Sequence, residues 1–483
     1  MILKQILNNI SYEITQGTCD LPIDTISYDS RSKMKNGLFV CIEGYTVDGH
    51  QYVSSAIENG ASAIIVQKEI NVEIPESITI IKVEDTRTTM AIVGANFYGH
   101  PSKDMALVGI TGTNGKTTTA YLIGWILESM AKKIGIIGTI ENRIGKQVIK
   151  SERTTPESLD LQRLLRTMKT EEVSHTIMEV SSHALALERV NGVRYKIGMF
   201  TNLSLDHLDF HKTVENYLEA KTKLFTMCDI GIVNIDDPHA KAMTDIKGYK
   251  LYTFGIDKEA DFKGENILIT ADGVQFDLVS KDGCYPIFMP IPGKFSVYNA
   301  LGAIAASCLL GISIEDVITA LGTVPGVPGR FQSIPTTKEF SVIVDYAHTP
   351  DGLENVLKTV QEFALSKIIT VFGCGGDRDK TKRPIMAEIA GRYSDYTILT
   401  SDNPRSEDPD AILNDIEVGI KNSGQEYEKL VDREMAIKKA IQMAQKDDVI
   451  VIAGKGHEDY QILKDRIIHF DDVEMAKKYL QEA

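Results

Sequence analysis

A glycine-rich turn between an apolar run and a helical stretch constrains this chain more than any other feature of its sequence. Met105 to Ile110 is an apolar strand candidate, Gly112-Thr113-Asn114-Gly115-Lys116-Thr117-Thr118 follows, and a helical pattern runs from Thr117 to about Met130. The glycines let the backbone curl so that several N–H groups face one phosphate chain, and the helix N-terminus adds partial positive charge. Lys116 is placed to reach the β- and γ-phosphates, and the Thr117 hydroxyl to ligate Mg²⁺. A strict Walker pattern has Gly five positions before Gly115, where Ile110 stands, so the match is to a shorter loop of the same kind. Alone, this unit implies binding of ATP or GTP and leaves open what is done with it.

The same alternation of apolar strand and helix recurs along the chain and predicts mainly parallel sheets covered on both faces. With 483 residues, about three domains are expected. Residues 1–101 form the first, with Gly37 to Ile42 a buried strand, and a helix-like run from Thr88 to Tyr98 before the breakers Gly99, His100 and Pro101. Residues 102–328 form the central domain, where Ile134 to Ile140 and Thr176 to Val180 read as further buried strands. It closes in the Pro/Gly-dense stretch Val324 to Arg330. In residues 329–483, strands are expected at Ser341 to Val344, Ile368 to Phe372, Tyr396 to Thr400 and Val449 to Ala453, each followed by a polar loop. Ligands of open α/β sheets sit at the carboxyl ends of strands, so those loops are where chemistry is expected.

The net charge of −15 argues against a general nucleic-acid binder, which needs a basic surface. A phosphate site must then be built locally, from a few cations and backbone N–H groups. No apolar run approaches the roughly 18–20 residues of a membrane span, and residues 1–5 do not resemble a signal peptide, so a cytoplasmic protein is expected. The six cysteines form no C-x-x-C pair and read as reduced core residues.

Glu179 to His183 ends one predicted strand, and Thr201 to His211 follows the apolar run Ile197 to Phe200. Both segments should reach the sheet edge near the phosphate loop, where a Glu and a His can complete coordination of Mg²⁺ on nucleotide oxygens. Singly, Glu179 would be a solvated or capping residue and His207 a structural one; jointly, downstream of a phosphate loop, they read as a site. Lys221 lies in the helical stretch Val214 to Phe225, and its spacing alone gives a surface lysine.

These motifs, in this order, resemble the Mur ligases, the ATP-dependent amide-bond ligases of peptidoglycan precursor synthesis. Among them the chain is similar to the UDP-N-acetylmuramoyl-tripeptide synthetases. The likeness runs the whole length, through Tyr28-Asp29-Ser30-Arg31, the phosphate loop, Thr154-Thr155-Pro156, Glu179 to His183, Asp206 to Asp209, Ala220-Lys221, Asp345 to Pro350, Gly375 to Asp379, Asp402-Asn403-Pro404-Arg405 and Gly454 to Glu458. It implies an N-terminal α/β domain for the UDP moiety, a central P-loop ATPase-like domain and a C-terminal Rossmann-like domain. Ser30, Tyr45, Thr46 and Val47 are then expected at the uridine diphosphate, and Thr154, Thr155, Ser181 and Arg189 at the sugar–peptide. Family members often carry Gln where Leu187 stands. Thr117, Glu179 and His207 match Mg²⁺ sites, and Lys221 matches a lysine that the family carbamylates with CO₂, turning a cation into a carboxylate that binds metal. Asn299 and Asp345 fall near the base and ribose, and Arg330 near phosphate. Lys116, Lys221, His207 and Glu179 are the expected catalytic set.

The resemblance assigns the third domain to the incoming amino acid, and the intact Asp402 to Arg405 motif to members that add meso-diaminopimelate. Its distal carboxylate, absent from lysine, suits a bidentate Arg405 fork. Arg378 is expected on a carboxylate of the same molecule, Asp402, Asn403 and Pro404 around it, and Gly454 and Glu458 at its distal ammonium. The implied reaction passes the γ-phosphoryl group of ATP to the D-Glu carboxylate of UDP-N-acetylmuramoyl-L-Ala-D-Glu, and the amine then displaces phosphate from the acyl phosphate. Ligands on three domains imply closure, with hinges near Pro101 and Pro325 to Arg330. No general base is evident, and a monomer handling only small molecules is expected. A lysine-adding or folylpolyglutamate-type ligase is disfavoured by Asp402 to Arg405 and the Ser30 region. A non-catalytic P-loop switch is disfavoured by the Glu179, His207 and Lys221 set.

Overall fold

The computed structural model describes residues 1–44 and 47–482. The chain divides into two compact units, Met1–Thr253 and Phe254–Ala483. The first holds two α/β sheets.

One sheet has the order Glu13–Gln16, Thr79–Lys82, Ala61–Val66, Gly37–Val40, Thr25–Ser27, parallel except for its first strand. The helix Thr86–Tyr98 packs Met90 and Val93 onto its apolar face, beside Leu38, Val40, Ala63 and Ile65. Asp85 caps that helix through the Arg87 N–H, and Gly99 ends it in a left-handed conformation.

The second sheet runs Cys228–Asn234, Tyr195–Phe200, Ala106–Thr111, His175–Glu179, Ile134–Ile137, all parallel. Its strands are almost wholly buried apolar runs because helices cover both faces, and each fully buried Ile, Val or Leu contributes about 1.5–3 kcal/mol. The helix Lys116–Ser129 follows the phosphate loop, as expected, and buries Leu122, Ile123, Ile126 and Leu127. The expected strand Ile134 to Ile140 stops at Ile137: the Gly138 N–H donates to the Glu141 carbonyl, and the chain turns into the antiparallel strands Glu141–Ile144 and Gln147–Lys150.

In the second unit, Phe262–Thr270, Gly273–Ser280 and Gly283–Met289 form an antiparallel meander that the sequence reading did not contain. Beyond it lies a sheet with the order Gln332–Ser333, Ser341–Asp345, Val449–Ala453, Ile368–Phe372, Tyr396–Leu399, Tyr427–Lys429, parallel after the first strand. The loops after Asp345, Phe372, Leu399 and Ala453 all leave from its carboxyl edge. Four of the six cysteines are buried, but Cys284, on a meander strand, is exposed, which corrects its reading as a core residue. No helix among the described residues is long and apolar enough to cross a membrane.

Candidate active site

The phosphate-loop strand lies between the strands ending at Glu179 and Phe200, with Ile110 beside Glu179 and Thr111 beside Phe200. Three chain segments therefore emerge side by side at one edge. Gly112 has φ 151° and presses so closely on Thr201 that a Cβ there would overlap its Oγ1. The loop is clasped by the neighbouring segment: Thr201 Oγ1 donates to the Asn114 carbonyl at 2.7 Å, and the Asn114 N–H to Asn202 Oδ1 at 2.9 Å. Lys116 Nζ folds over the loop and donates to the carbonyls of Gly112 and Thr113 at 2.9 and 2.8 Å.

Glu179 is buried under this helix start. Its Oε2 accepts from Thr117 Oγ1 at 2.8 Å and Thr139 Oγ1 at 3.1 Å, and its Oε1 from the Thr139 N–H at 2.8 Å. Bonds to a charged group are worth about 1.5–3 kcal/mol each, so the carboxylate is rigidly held. Thr139, which the sequence motifs did not single out, holds Glu179 from just past a strand end, where loops of open α/β sheets carry their polar residues.

His207 sits with φ 54°, a conformation uncommon outside glycine, at the start of the short helix Leu208–His211. Its ring lies 4.7 Å from that of His183, and its Nε2 is 3.5 Å from Asp206 Oδ2. Burial lowers its pKa against the pull of Asp206, and Lys116 and Lys221 lower it further. A neutral imidazole is the form that binds metal. Lys221, which spacing made a surface residue, is 1% exposed. Its Nζ lies 4.3 Å over the Tyr217 ring, whose hydroxyl is 3.1 Å from Thr113 Oγ1, and makes no hydrogen bond among the described residues. Burial, with repulsion from Lys116, holds this amine well below the ordinary lysine value. Tyr217, also missed, is the link between the phosphate loop and Lys221.

Among the described residues, no three His, Cys, Asp or Glu side chains cluster closely enough to hold a metal alone. The donors present, one carboxylate, one hydroxyl and one imidazole, fit a hard cation that takes further oxygens from phosphate.

Thr155 and Thr154 border Glu179. Thr155 Oγ1 donates to the Glu179 carbonyl at 2.8 Å and accepts from the Ser181 N–H at 3.0 Å, and Thr154 Oγ1 is 3.0 Å from Thr139 Oγ1. Arg189 pairs with Glu157 at 2.9 Å, and Arg153 meets the same carboxylate at 2.5 Å. Ser30 is buried, its carbonyl accepting from Asn59 Nδ2 at 2.8 Å, and Val47 is exposed. Tyr45 and Thr46 lie outside the described residues.

The second unit carries Asn299, Arg330 and Asp345. Asn299 is buried in the helix Lys294–Leu309. Asp345 is buried too; its Oδ2 accepts from the Phe331 N–H at 2.6 Å and its Oδ1 from the Ala347 N–H at 2.8 Å, so it braces the turn that carries Arg330. The Arg330 guanidinium lies 4.8 Å over the Tyr346 ring.

At the carboxyl edge of the last sheet, Arg405 and Asp377 both adopt positive φ, at 53°. Arg405 Nη1 donates to the Gly376 carbonyl at 2.8 Å, which fixes the guanidinium beside the Gly375-Gly376 loop. Arg378 is exposed on that loop. Asn403 is buried and donates through Nδ2 to Glu458 Oε2 at 2.8 Å. Burial raises the Glu458 pKa, as does the Asp402 charge, against the opposing pull of Lys455. Gly454 has φ 121°, and its N–H donates to the Asp345 carbonyl at 3.0 Å. Asp402, Asn403, Pro404, Arg405, Gly454 and Glu458 thus meet around one loop cluster.

A glycine-rich loop at a helix start, with a buried carboxylate held beneath it, is the arrangement of an α/β protein that binds a nucleoside triphosphate. The chain belongs to the Mur ligase family: residues 22–98 match its "Mur ligase family, catalytic domain", residues 110–307 its "Mur ligase middle domain" and residues 329–456 its "Mur ligase, glutamate ligase domain". It is 50% identical, over the full length of both chains, to "UDP-N-acetylmuramoyl-L-alanyl-D-glutamate--2,6-diaminopimelate ligase 1" of Clostridium acetobutylicum, and 49% identical to the corresponding ligase of Clostridioides difficile, again over both full lengths. A solved structure of a UDP-N-acetylmuramoyl-L-alanyl-D-glutamate--2,6-diaminopimelate ligase matches with TM-score 0.73 and 32% identity, covering 100% of this chain and 99% of the other.

Proposed function

We propose that this chain is the ATP-dependent ligase that joins meso-diaminopimelate to UDP-N-acetylmuramoyl-L-alanyl-D-glutamate, in peptidoglycan precursor synthesis. The observation that carries the reading is the meeting of the phosphate loop, the clamped Glu179 and the buried Lys221 amine in one site; full-length likeness to ligases of that name supports it.

The loop N–H groups and Lys116 bind the triphosphate, with Lys116 leaving its loop carbonyls for phosphate oxygens. Thr117, Glu179 and His207 would hold Mg²⁺, which supplies neutralisation of charge on the transferring oxygens. A neutral Lys221 amine adds to CO₂ and loses one proton, so that a carbamate anion takes the place of an uncharged amine beside the same ligands. Arg189, Thr154, Thr155 and Ser181 orient the D-Glu carboxylate, which attacks the γ-phosphoryl group. Arg405 and Glu458 hold the far end of diaminopimelate, leaving its other amine to attack the acyl phosphate and expel phosphate. Positioning of this kind lowers a barrier by about 7–11 kcal/mol without covalent help from side chains. The partners are small molecules, and a single chain in the cytoplasm suffices.

Phosphate release from ATP with the UDP-dipeptide tests the reading. It should require meso-diaminopimelate and be near background with L-lysine or no amino acid. Equal release with lysine would replace the proposed substrate, and release with neither would remove the ligase assignment.

A further inference from the structure

The amino-acid cluster contains a lysine to which the proposed mechanism gives no task. Lys455 is completely buried. Its Nζ lies 3.3 Å from Glu458 Oε2, 3.5 Å from Asn403 Oδ1 and 3.7 Å from Asp402 Oδ1, with the Tyr460 ring 5.5 Å away. A buried ammonium persists only where its surroundings compensate it, and here the compensation comes entirely from this loop cluster.

The arrangement assigns the two oxygens of Glu458 different roles. Oε2 accepts from both Asn403 Nδ2, at 2.8 Å, and Lys455, while Oε1 takes no hydrogen bond from any described residue. Asp402 Oδ1 is likewise buried without a hydrogen-bond partner. Glu458 Oε1 is therefore held in place and still able to receive an ammonium group, while Asp402 Oδ1, buried and 3.7 Å from Lys455 Nζ, adds negative charge to the cluster. Arg433 also faces this region, from behind Gly454, but its charge is matched by a bidentate pair with Asp472 at 2.7 Å. Asp402, Glu458 and Lys455 together carry a formal charge of −1, from two carboxylates and one ammonium.

That balance bears on choice of substrate. Diaminopimelate has two ammonium and two carboxylate groups and no net charge, whereas lysine lacks the distal carboxylate and carries one net positive charge. Two uncompensated carboxylates would hold an ammonium from either molecule. With a third, positive group built in, the ammonium alone is held weakly, and the grip of Arg405 on the distal carboxylate becomes necessary. We propose that Lys455 is a specificity-determining residue, which positions Glu458 through Oε2 and whose buried charge penalises L-lysine relative to diaminopimelate. This rests on the amino-acid pocket assigned above.

The test uses the full chain with ATP and the UDP-dipeptide saturating, and reads phosphate release against meso-diaminopimelate or L-lysine. Lys455→Met should narrow the ratio of kcat/KM for the two amino acids by at least about tenfold, the scale of a like-charge penalty. Its KM for diaminopimelate should rise, while its KM for ATP stays within about twofold of wild type. The conservative Lys455→Arg should keep the ratio within about threefold of wild type. Equal losses for both amino acids in Lys455→Met, with the ratio unchanged, would make Lys455 merely structural and overturn the proposal. If Lys455→Met does not fold, Lys455→Arg decides: a retained ratio supports the charge role and a tenfold collapse overturns it. Failure of the wild type to use diaminopimelate would instead sink the pocket assignment itself, so the two failures are distinguishable.

Discussion

Gly138→Ala disturbs the clamp on Glu179 from a position to which no substrate or metal contact is assigned. A Cβ at this position would overlap Glu179 Oε1 and lie 3.2 Å from its Cδ. Gly138 has no positive φ, so alanine brings no backbone strain of its own. What it meets is the far end of a side chain, and the carboxylate must swing away. Doing so breaks the bonds from the Thr139 N–H, at 2.8 Å, and from Thr139 Oγ1, at 3.1 Å. At about 1.5–3 kcal/mol for each bond to a charged acceptor, the displaced carboxylate forfeits about 3–6 kcal/mol of preorganisation. One tenfold change in rate corresponds to about 1.4 kcal/mol, so kcat/KM for ATP should fall by roughly two to four orders of magnitude. The assay is phosphate release with Mg²⁺ varied, beside far-UV circular dichroism to confirm the fold. A folded variant with wild-type kcat/KM and unaltered Mg²⁺ dependence would refute the idea that a clamped Glu179 matters to phosphoryl transfer.

Lys221→Ala should abolish turnover and be partly rescued by short carboxylates; full activity without them would remove the carbamate role. In the wild type, carbamylation should be lost as pH falls through the lowered pKa of Lys221 and the amine protonates, which carbon-13-labelled CO₂ would report by NMR. Arg405→Ala should raise KM for diaminopimelate by the equivalent of about 2–5 kcal/mol while leaving KM for ATP nearly unchanged; equal effects on both would take Arg405 out of the amino-acid pocket. Because burial raises the Glu458 pKa, it takes up a proton at higher pH than a solvated glutamate, so KM for diaminopimelate should climb early as pH falls, and Glu458→Gln should flatten that limb. Arg433→Met leaves Asp472 buried and unpaired, a loss of about 3–5 kcal/mol that thermal unfolding should show as a clear fall in Tm.

The turn at Gly112 to Thr117 was legible in the sequence because its signals are local: the glycines, Lys116 and Thr117 fall within one turn between two periodic elements. Glu179 and His207 were legible at one remove, since strand ends in parallel sheets converge on one edge. Lys221 was not legible from its helix, where spacing pointed to solvent. The packing of Tyr217 into the central core and against the phosphate loop makes that face an interior. Thr139 was missed because Ile140 extended the apparent apolar run past the true turn at Gly138. The meander of the second unit is marked by Asp272-Gly273 and Asp282-Gly283 between alternating residues, a hairpin signal that strand–helix alternation does not carry. Lys455 and the Arg433–Asp472 pair could not be read at all, because their meaning depends on contacts between segments far apart in the chain.

The parallel register of the central sheet also dictates where such a chain can change length over evolutionary time. Side chains alternate between faces, so one residue inserted within His175–Glu179 would turn the Glu179 carboxylate toward the opposite layer. Two would restore its facing but carry it about 6.6 Å beyond the helix start it serves. Drift in length should therefore collect in the antiparallel flap of residues 141–150 and other rim segments, while the inner strands keep a fixed count.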